Sequence, residues 1–180
     1  MGRSISKRIE NYINREEWAR ARHLILRALK RESESHWLLT RLATTYYEEH
    51  RYRKALAISK QTLKLAPRCP LVLWDYASTL DMLGREKQAI KIWRDLLKRG
   101  VRRIAYGECS EGLRWARSLI NDCRYRLAGS LDELGDTRNA IRYIRSHLRY
   151  RGLDTPSVYP RISVKKMLAE LSKKSGIPVT

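Results

Sequence analysis

Proline and glycine are scarce in this chain, five and nine among 180 residues, and no glycine- or serine-rich tract is present. Extended loops and turn-rich β architecture are therefore disfavoured, whereas the abundant Ala, Leu, Arg, Lys and Glu favour helix. Long apolar runs are also missing: no segment approaches the roughly 18 to 20 uninterrupted apolar residues of a membrane span. The N-terminal stretch is polar and charged, unlike a signal peptide, so a cytoplasmic location and no membrane partner are expected. Cys69, Cys109 and Cys123 are odd in number and form no C-x-x-C pair, which argues against a disulfide framework or a zinc knuckle. There is no H-E-x-x-H and no glycine-rich phosphate loop, and His23, His36, His50 and His147 stand isolated. A Cys109 nucleophile would need a base and an orienting group that the sequence does not supply. The expectation is a non-catalytic protein with no cofactor and no metal.

What is present is apolar material, at 43%, enough for a continuous core in a single domain. Positive charge is present in excess: 38 Lys and Arg against 19 Asp and Glu, a formal +19 and a pI near 10.3. Nucleic acid or an acidic partner therefore enters as a possibility. Met1-Gly2-Arg3-Ser4-Ile5-Ser6 formally fits an N-myristoylation pattern, but Ile5 and Ile9 are wanted by the first helix.

The chain repeats itself. Ala21, Ala55 and Ala89 lie 34 residues apart, and Ala140 follows 51 later, one period plus 17. Ile25, Ser59, Trp93 and Ile144 come four residues after each alanine, and Leu29, Leu63, Leu97 and Leu148 eight after, all on one helical face. A preceding helix repeats in step, with Ile9, Ala43, Ala77 and Ala128 followed three residues on by Tyr12, Tyr46, Leu80 and Leu131. Between them come the turns Asn14-Arg15, Glu49-His50-Arg51, Gly84-Arg85 and Gly135-Asp136, whose glycines suit the left-handed end of a helix. A 34-residue period of this kind denotes a helix-turn-helix repeat.

Leu39-x-x-Leu42-Ala43-x-x-Tyr46, followed by Tyr52-x-x-Ala55 and Pro67, resembles the tetratricopeptide repeat. Tyr76-Ala77, Leu80, Gly84, Ala89 and Trp93, and then Leu127-Ala128, Leu131, Gly135-Asp136 and Ala140, repeat the likeness; the first unit departs from it at Arg8. The resemblance implies an all-α, right-handed superhelical solenoid of antiparallel helix pairs. The units fall at about 2–35, 36–69, 70–103 and 121–154, with an insertion at 104–120 and a capping helix at about 160–175. That last helix turns Val164, Met167, Leu168 and Leu171 inward.

In the insertion, Tyr106-Gly107-Glu108-Cys109-Ser110-Glu111-Gly112 reads as a loop. Leu113, Ala116, Ile120, Cys123 and Leu127 extend the following helix backwards by about three turns. Tyr106, Glu108, Cys109, Arg114, Trp115 and Arg117, with Arg124 and Arg126 beyond them, are expected to form an individual surface.

In the family this chain resembles, the first helix of each unit lines a concave groove. That register carries Arg3, Ser6, Glu10, Ile13 and Asn14, then Trp37, Thr40, Thr44, Tyr47 and Glu48, then Leu71, Trp74, Ser78, Asp81 and Met82, then Asp122, Tyr125, Gly129, Asp132 and Glu133. One cation faces six anions there, a formal −5, whereas the four second helices together carry +16. The resemblance thus implies a protein-interaction scaffold that receives a basic or apolar peptide or helix on Trp37, Thr40, Thr44, Tyr47, Trp74, Ser78, Asp81, Tyr125 and Asp132. Nucleic acid or another polyanion on the basic second helices is the alternative.

Overall fold

The structure, a computed structural model, describes residues 3–177, with side chains from Ile5 onward. Met1 and Gly2 of the acylation pattern, and the Arg3 side chain assigned to the groove, lie outside the described residues. Among these residues the chain forms nine helices and no strand: α1 Arg3–Asn14, α2 Trp18–Leu29, α3 His36–Glu48, α4 Tyr52–Leu65, α5 Pro70–Asp81, α6 Glu86–Ala105, α7 Leu113–Glu133, α8 Thr137–Tyr150 and α9 Arg161–Ser175. They group into two compact units that meet in the chain at Leu83 and Gly84, α1 to α5 before and α6 to α9 after.

Helix starts follow local chemistry. The Ser35 hydroxyl accepts the Leu38 N–H ahead of α3, the Asp136 carboxylate accepts the Asn139 N–H ahead of α8, and Pro70 opens α5, where its missing N–H costs nothing. The repeat is most visible in the turns. Glu16, His50, Gly84 and Gly135 occupy the same repeat position and all have positive φ, at 58°, 58°, 68° and 80°. Around three of them the next N–H reaches back to the last turn of the preceding helix: Glu17 to Tyr12 at 2.9 Å, Arg51 to Tyr46 at 2.9 Å and Asp136 to Leu131 at 2.8 Å. This is the Schellman closure, which satisfies otherwise orphaned carbonyls. An L-residue there costs about 1–2 kcal/mol, so Glu16 and His50 carry strain that the two glycines avoid.

In the first unit, Ile9, Ala21, Ile25, Leu38 and Leu42 form a buried cluster, with Tyr12, Trp37, Tyr46 and Ile58 packed against it. Each fully buried Ile or Leu contributes roughly 1.5–3 kcal/mol. In the second unit, α6 packs on α7, α7 on α8 and α8 on α9, burying Trp93, Leu96, Ile104, Ala116, Leu127, Ile144, Val164 and Leu171. Asn121 and His147 lock α7 to α8 reciprocally: Asn121 Nδ2 donates to the His147 carbonyl at 3.1 Å, and His147 Nδ1 donates to the Asn121 carbonyl at 2.9 Å. Burial holds the His147 pKa below its ordinary value, and the Arg151 and Arg124 charges lower it further. No helix among the described residues is long and apolar enough to cross a membrane.

The helix before the insertion outlasts its expected end. At Gly100 (φ 74°, ψ 165°) the backbone leaves the helical conformation, and residues 101–105 form a further helical segment. α7 then begins at Leu113, where the apolar spacing places it; measured from residue 121, that extension amounts to about two turns.

Candidate interaction surfaces

In the first unit, α1, α3 and α5 contribute the registers assigned to a groove. Arg41 of α3 links two of these helices: its Nε donates to Glu10 Oε1 at 2.7 Å, and its guanidinium lies 5.4 Å from the centre of the Trp37 ring. Thr44 Oγ1 lies 3.3 Å from Asp75 Oδ2, linking α3 to α5, and 3.1 Å from the Thr40 carbonyl. Thr40 itself is buried and bonds back to the His36 carbonyl. Tyr47 meets Tyr52 edge to face with centroids 5.3 Å apart. Trp74 and Asp81 are half-buried, and Ser78 is buried.

The electrostatics of this face centre on two strained acids. Asp75 has its pKa pushed up to about 7, chiefly by burial and further by Glu48, against the opposing charge of Arg41 and the Thr44 hydrogen bond. Glu48 is also raised, first by burial and then by Glu16, with His50 opposing. Both carboxylates are held where ionisation is disfavoured, and an added cation would relieve both.

The same register on α7 is engaged from within the chain. Val158 N–H donates to Asp122 Oδ2 at 3.2 Å, and Tyr159 stacks on Tyr125 with ring centres 3.9 Å apart. Gly129 faces Met167: a Cβ placed on that glycine would come 3.9 Å from the methionine Cε. Lys174 pairs with Asp132 at 2.8 Å, and Thr137 also donates to that carboxylate. Burial raises the Asp122 pKa, against hydrogen bonds from Ser157 and Val158. A cavity of about 190 Å³ between Gly129, Asp132 and Glu133 of α7 and Met167, Glu170, Leu171 and Lys174 of α9 is what this cover leaves open.

In the insertion, the Ser110 hydroxyl bonds to the Ala105 carbonyl and accepts the Gly112 N–H, which closes the loop on itself. Tyr106, Glu108 and Arg114 are exposed, Cys109 and Trp115 are half-buried, and Arg117 lies 3.9 Å from Asp154. Arg124 and Arg126 do not join that exposed surface. Arg124 is half-buried with its guanidinium 4.5 Å from the Tyr150 ring centre, and Arg126 lies 5.3 Å from that of Trp93. The wide apolar stripe of α7 places both at the edges of the packed face, where long cationic stems cover aromatic rings. The Cys123 thiol is buried and its pKa raised by that burial, which makes it inert.

Arg41 and Asp75 were missing from the sequence-assigned lining. A signal existed: they occupy one repeat position, 34 apart, and stand one helical turn before Thr44 and Ser78. Including them changes the balance on α3 and α5, because Arg41 pairs with Glu10 and its charge also opposes the burial of Asp75.

No known protein-family profile matches the chain, and no curated protein sequence matches it. Solved structures do match. MamA from Desulfovibrio magneticus RS-1, residues 41 to its end, superposes with a TM-score of 0.71 at 12% identity over 98% of this chain and 88% of that one. A crystal structure of MamA gives 0.66 at 15% identity over 94% and 85%. Nearly identical TPR-like repeats of a kinesin light chain candidate from Podosopora anserina give 0.68 at 12% identity over 97% and 86%. At such identities the likeness concerns the fold, and it agrees with the helix pairs and the repeated turns: the chain is an all-α, tetratricopeptide-like helical repeat.

Proposed function

We propose that the chain is a non-catalytic protein-interaction module that takes a basic segment of a partner protein on the α1, α3 and α5 face of its first unit. The observation that supports this most is a pair of acids on that face: Asp75, which Thr44 Oγ1 meets at 3.3 Å and whose ionisation burial disfavours, and Glu48, whose charge disfavours it further; Arg41, which opposes them, lies against the ring of Trp37. A ligand lysine or arginine would offset the cost of ionising them, while Trp37 supplies contact area. The α7 register is a poorer candidate, because residues 157–174 already engage it.

Calorimetric titration with a synthetic lysine- and leucine-rich peptide tests the reading. Micromolar binding is expected, weakened at least about tenfold in Glu48→Lys, a change at an exposed position that reverses the sign beside Asp75. Equal binding by the variant, or preference for a glutamate-rich peptide, contradicts it.

The exposure of Arg53, Lys54, Lys60 and Lys64 on α4, and of Arg142 and Arg149 on α8, supports a second reading, polyanion binding. Phosphate contacts make such binding steeply salt-dependent, so a gel shift of duplex DNA at about 50 mM salt that disappears by about 200 mM is expected. The absence of a shift at the lower salt rejects it.

A further inference from the structure

The three most exposed large apolar side chains among the described residues are Leu153 at 94%, Ile162 at 78% and Val158 at 75%; Leu153 and Val158 lie in the short segment that joins α8 to α9, and Ile162 lies in the first turn of α9. Tyr150, the last residue of α8, is 56% exposed. Their presentation is built rather than accidental. One side of the segment is pinned to the second unit: Val158 N–H to Asp122, the Tyr159 ring on Tyr125, and Arg151 Nη1 donating to the Tyr159 carbonyl at 2.6 Å. Gly152 and Thr155 exchange backbone hydrogen bonds at 3.3 and 3.0 Å, a tight turn with Leu153 and Asp154 at its tip. With backbone and aromatic anchors facing inward, Leu153, Val158 and Ile162 stand outward into water.

An apolar tip of this kind has a cost in a soluble protein unless something receives it. The charges around it indicate what. From residue 149 to 166 the cations are Arg149, Arg151, Arg161, Lys165 and Lys166, against one acid, Asp154. Asp154 lies 3.9 Å from Arg117, and Lys166 lies 3.9 Å from Glu170 in the next helical turn. Apolar residues on a pinned turn, flanked by cations, complement the interface of an anionic bilayer: the apolar groups enter the headgroup boundary while Lys and Arg remain at the level of the lipid phosphates. The formal +19 of the whole chain adds long-range attraction.

We propose that the α8–α9 connection, with the end of α8 and the first turns of α9, is a peripheral docking site for anionic membrane surfaces, with Leu153, Val158 and Ile162 as the inserted groups and Arg149, Arg161 and Lys165 as the headgroup contacts. This departs from the sequence-based expectation of no membrane partner, which rested on the absence of spanning and signal segments. Three side chains supply a small insertion area, so neither they nor the cations suffice alone. Binding should require both, and it should be reversible.

Cosedimentation of the full chain with phosphatidylcholine vesicles, with and without phosphatidylserine, tests the proposal. The chain should pellet with the serine-containing vesicles and not with phosphatidylcholine alone. Combined Leu153→Ser, Val158→Ser and Ile162→Ser keeps every charge and should weaken that binding at least about tenfold, as loss of buried apolar groups demands. Arg161→Glu with Lys165→Glu should weaken it as well. Circular dichroism should show both variants folded, since the altered side chains are exposed. Unchanged pelleting of the serine variant would mean attraction of a basic protein to any polyanion and would overturn the proposal, as would failure of the natural sequence to pellet with phosphatidylserine at low salt.

Discussion

Two stretches of the same repeat register meet different fates. On α7, Asp122, Tyr125, Gly129 and Asp132 are met by residues that follow in the same chain: a backbone N–H, a stacked ring, a methionine and a lysine. In the first unit, the same face carries a network linking Glu10 of α1, Arg41 and Thr44 of α3 and Asp75 of α5, with Arg41 against the Trp37 ring. The difference shows that repeat position by itself does not make a binding surface. α7 is followed by α8, a connecting segment and α9, and the last two take up the chemistry that the register offers: Lys174 on Asp132 is the kind of contact proposed for a partner's cation on Asp75. The cover on α7 thus serves as an internal precedent for what such a face accepts.

The largest way to break the contrast is to loosen the cover. Leu168 of α9 is buried, 5% exposed, and Leu168→Ala should lower stability by about 2–5 kcal/mol. Hydrogen exchange should accelerate in α7, α8 and α9 more than in α3. Uniform acceleration across both units would show that the cover is not a local feature.

A second test turns on Asp75. Its folded-state pKa of about 7 lies above the ordinary 3.8, so the folded state favours the protonated form. The associated stability is fully present below about 4 and lost as pH rises to about 7. Asp75→Asn, which mimics the protonated acid, should therefore match the natural chain near pH 4 and exceed it at pH 8 by about 1–3 kcal/mol, read by urea titration at both pH values. A loss of stability at pH 8 would mean that the charged form is favoured.

The turns sharpen the comparison at smaller scale. Gly135, at φ 80° with nothing within 4 Å of an added Cβ, should lose about 1–2 kcal/mol as Gly135→Ala through backbone strain alone. Glu16 has φ 58° in the equivalent turn, and Glu16→Gly should gain about 0.5 kcal/mol, the relief of strain less the entropy of glycine. Thermal melts suffice for both. A destabilised Glu16→Gly would show that the side chain matters more than the conformation.

Much of the fold was legible because a 34-residue period leaves marks at every level. Ala21, Ala55, Ala89 and Ala140 are all fully buried, as close helix contacts demand, and Gly84 and Gly135 adopt the left-handed conformation their turns require. Glu16 and His50 were harder to read, since neither residue type announces that geometry. The kink at Gly100 escaped for a related reason, because apolar spacing continues through it, whereas α7 begins at Leu113, behind Gly112 at φ 89°, where the apolar spacing placed its start. The candidate surface was half legible. Registers identify which residues share a face, but not that Arg41 would pair with Glu10 or that residues 157–174 would lie over α7, because these are long-range contacts with no periodic signature.

The most direct measurement is hydrogen exchange of the natural chain with and without a saturating lysine- and leucine-rich peptide. Protection should appear in α3 and α5, residues His36–Glu48 and Pro70–Asp81, and should leave α7 unchanged. Protection confined to α7, with α3 and α5 exchanging as before, would contradict the account.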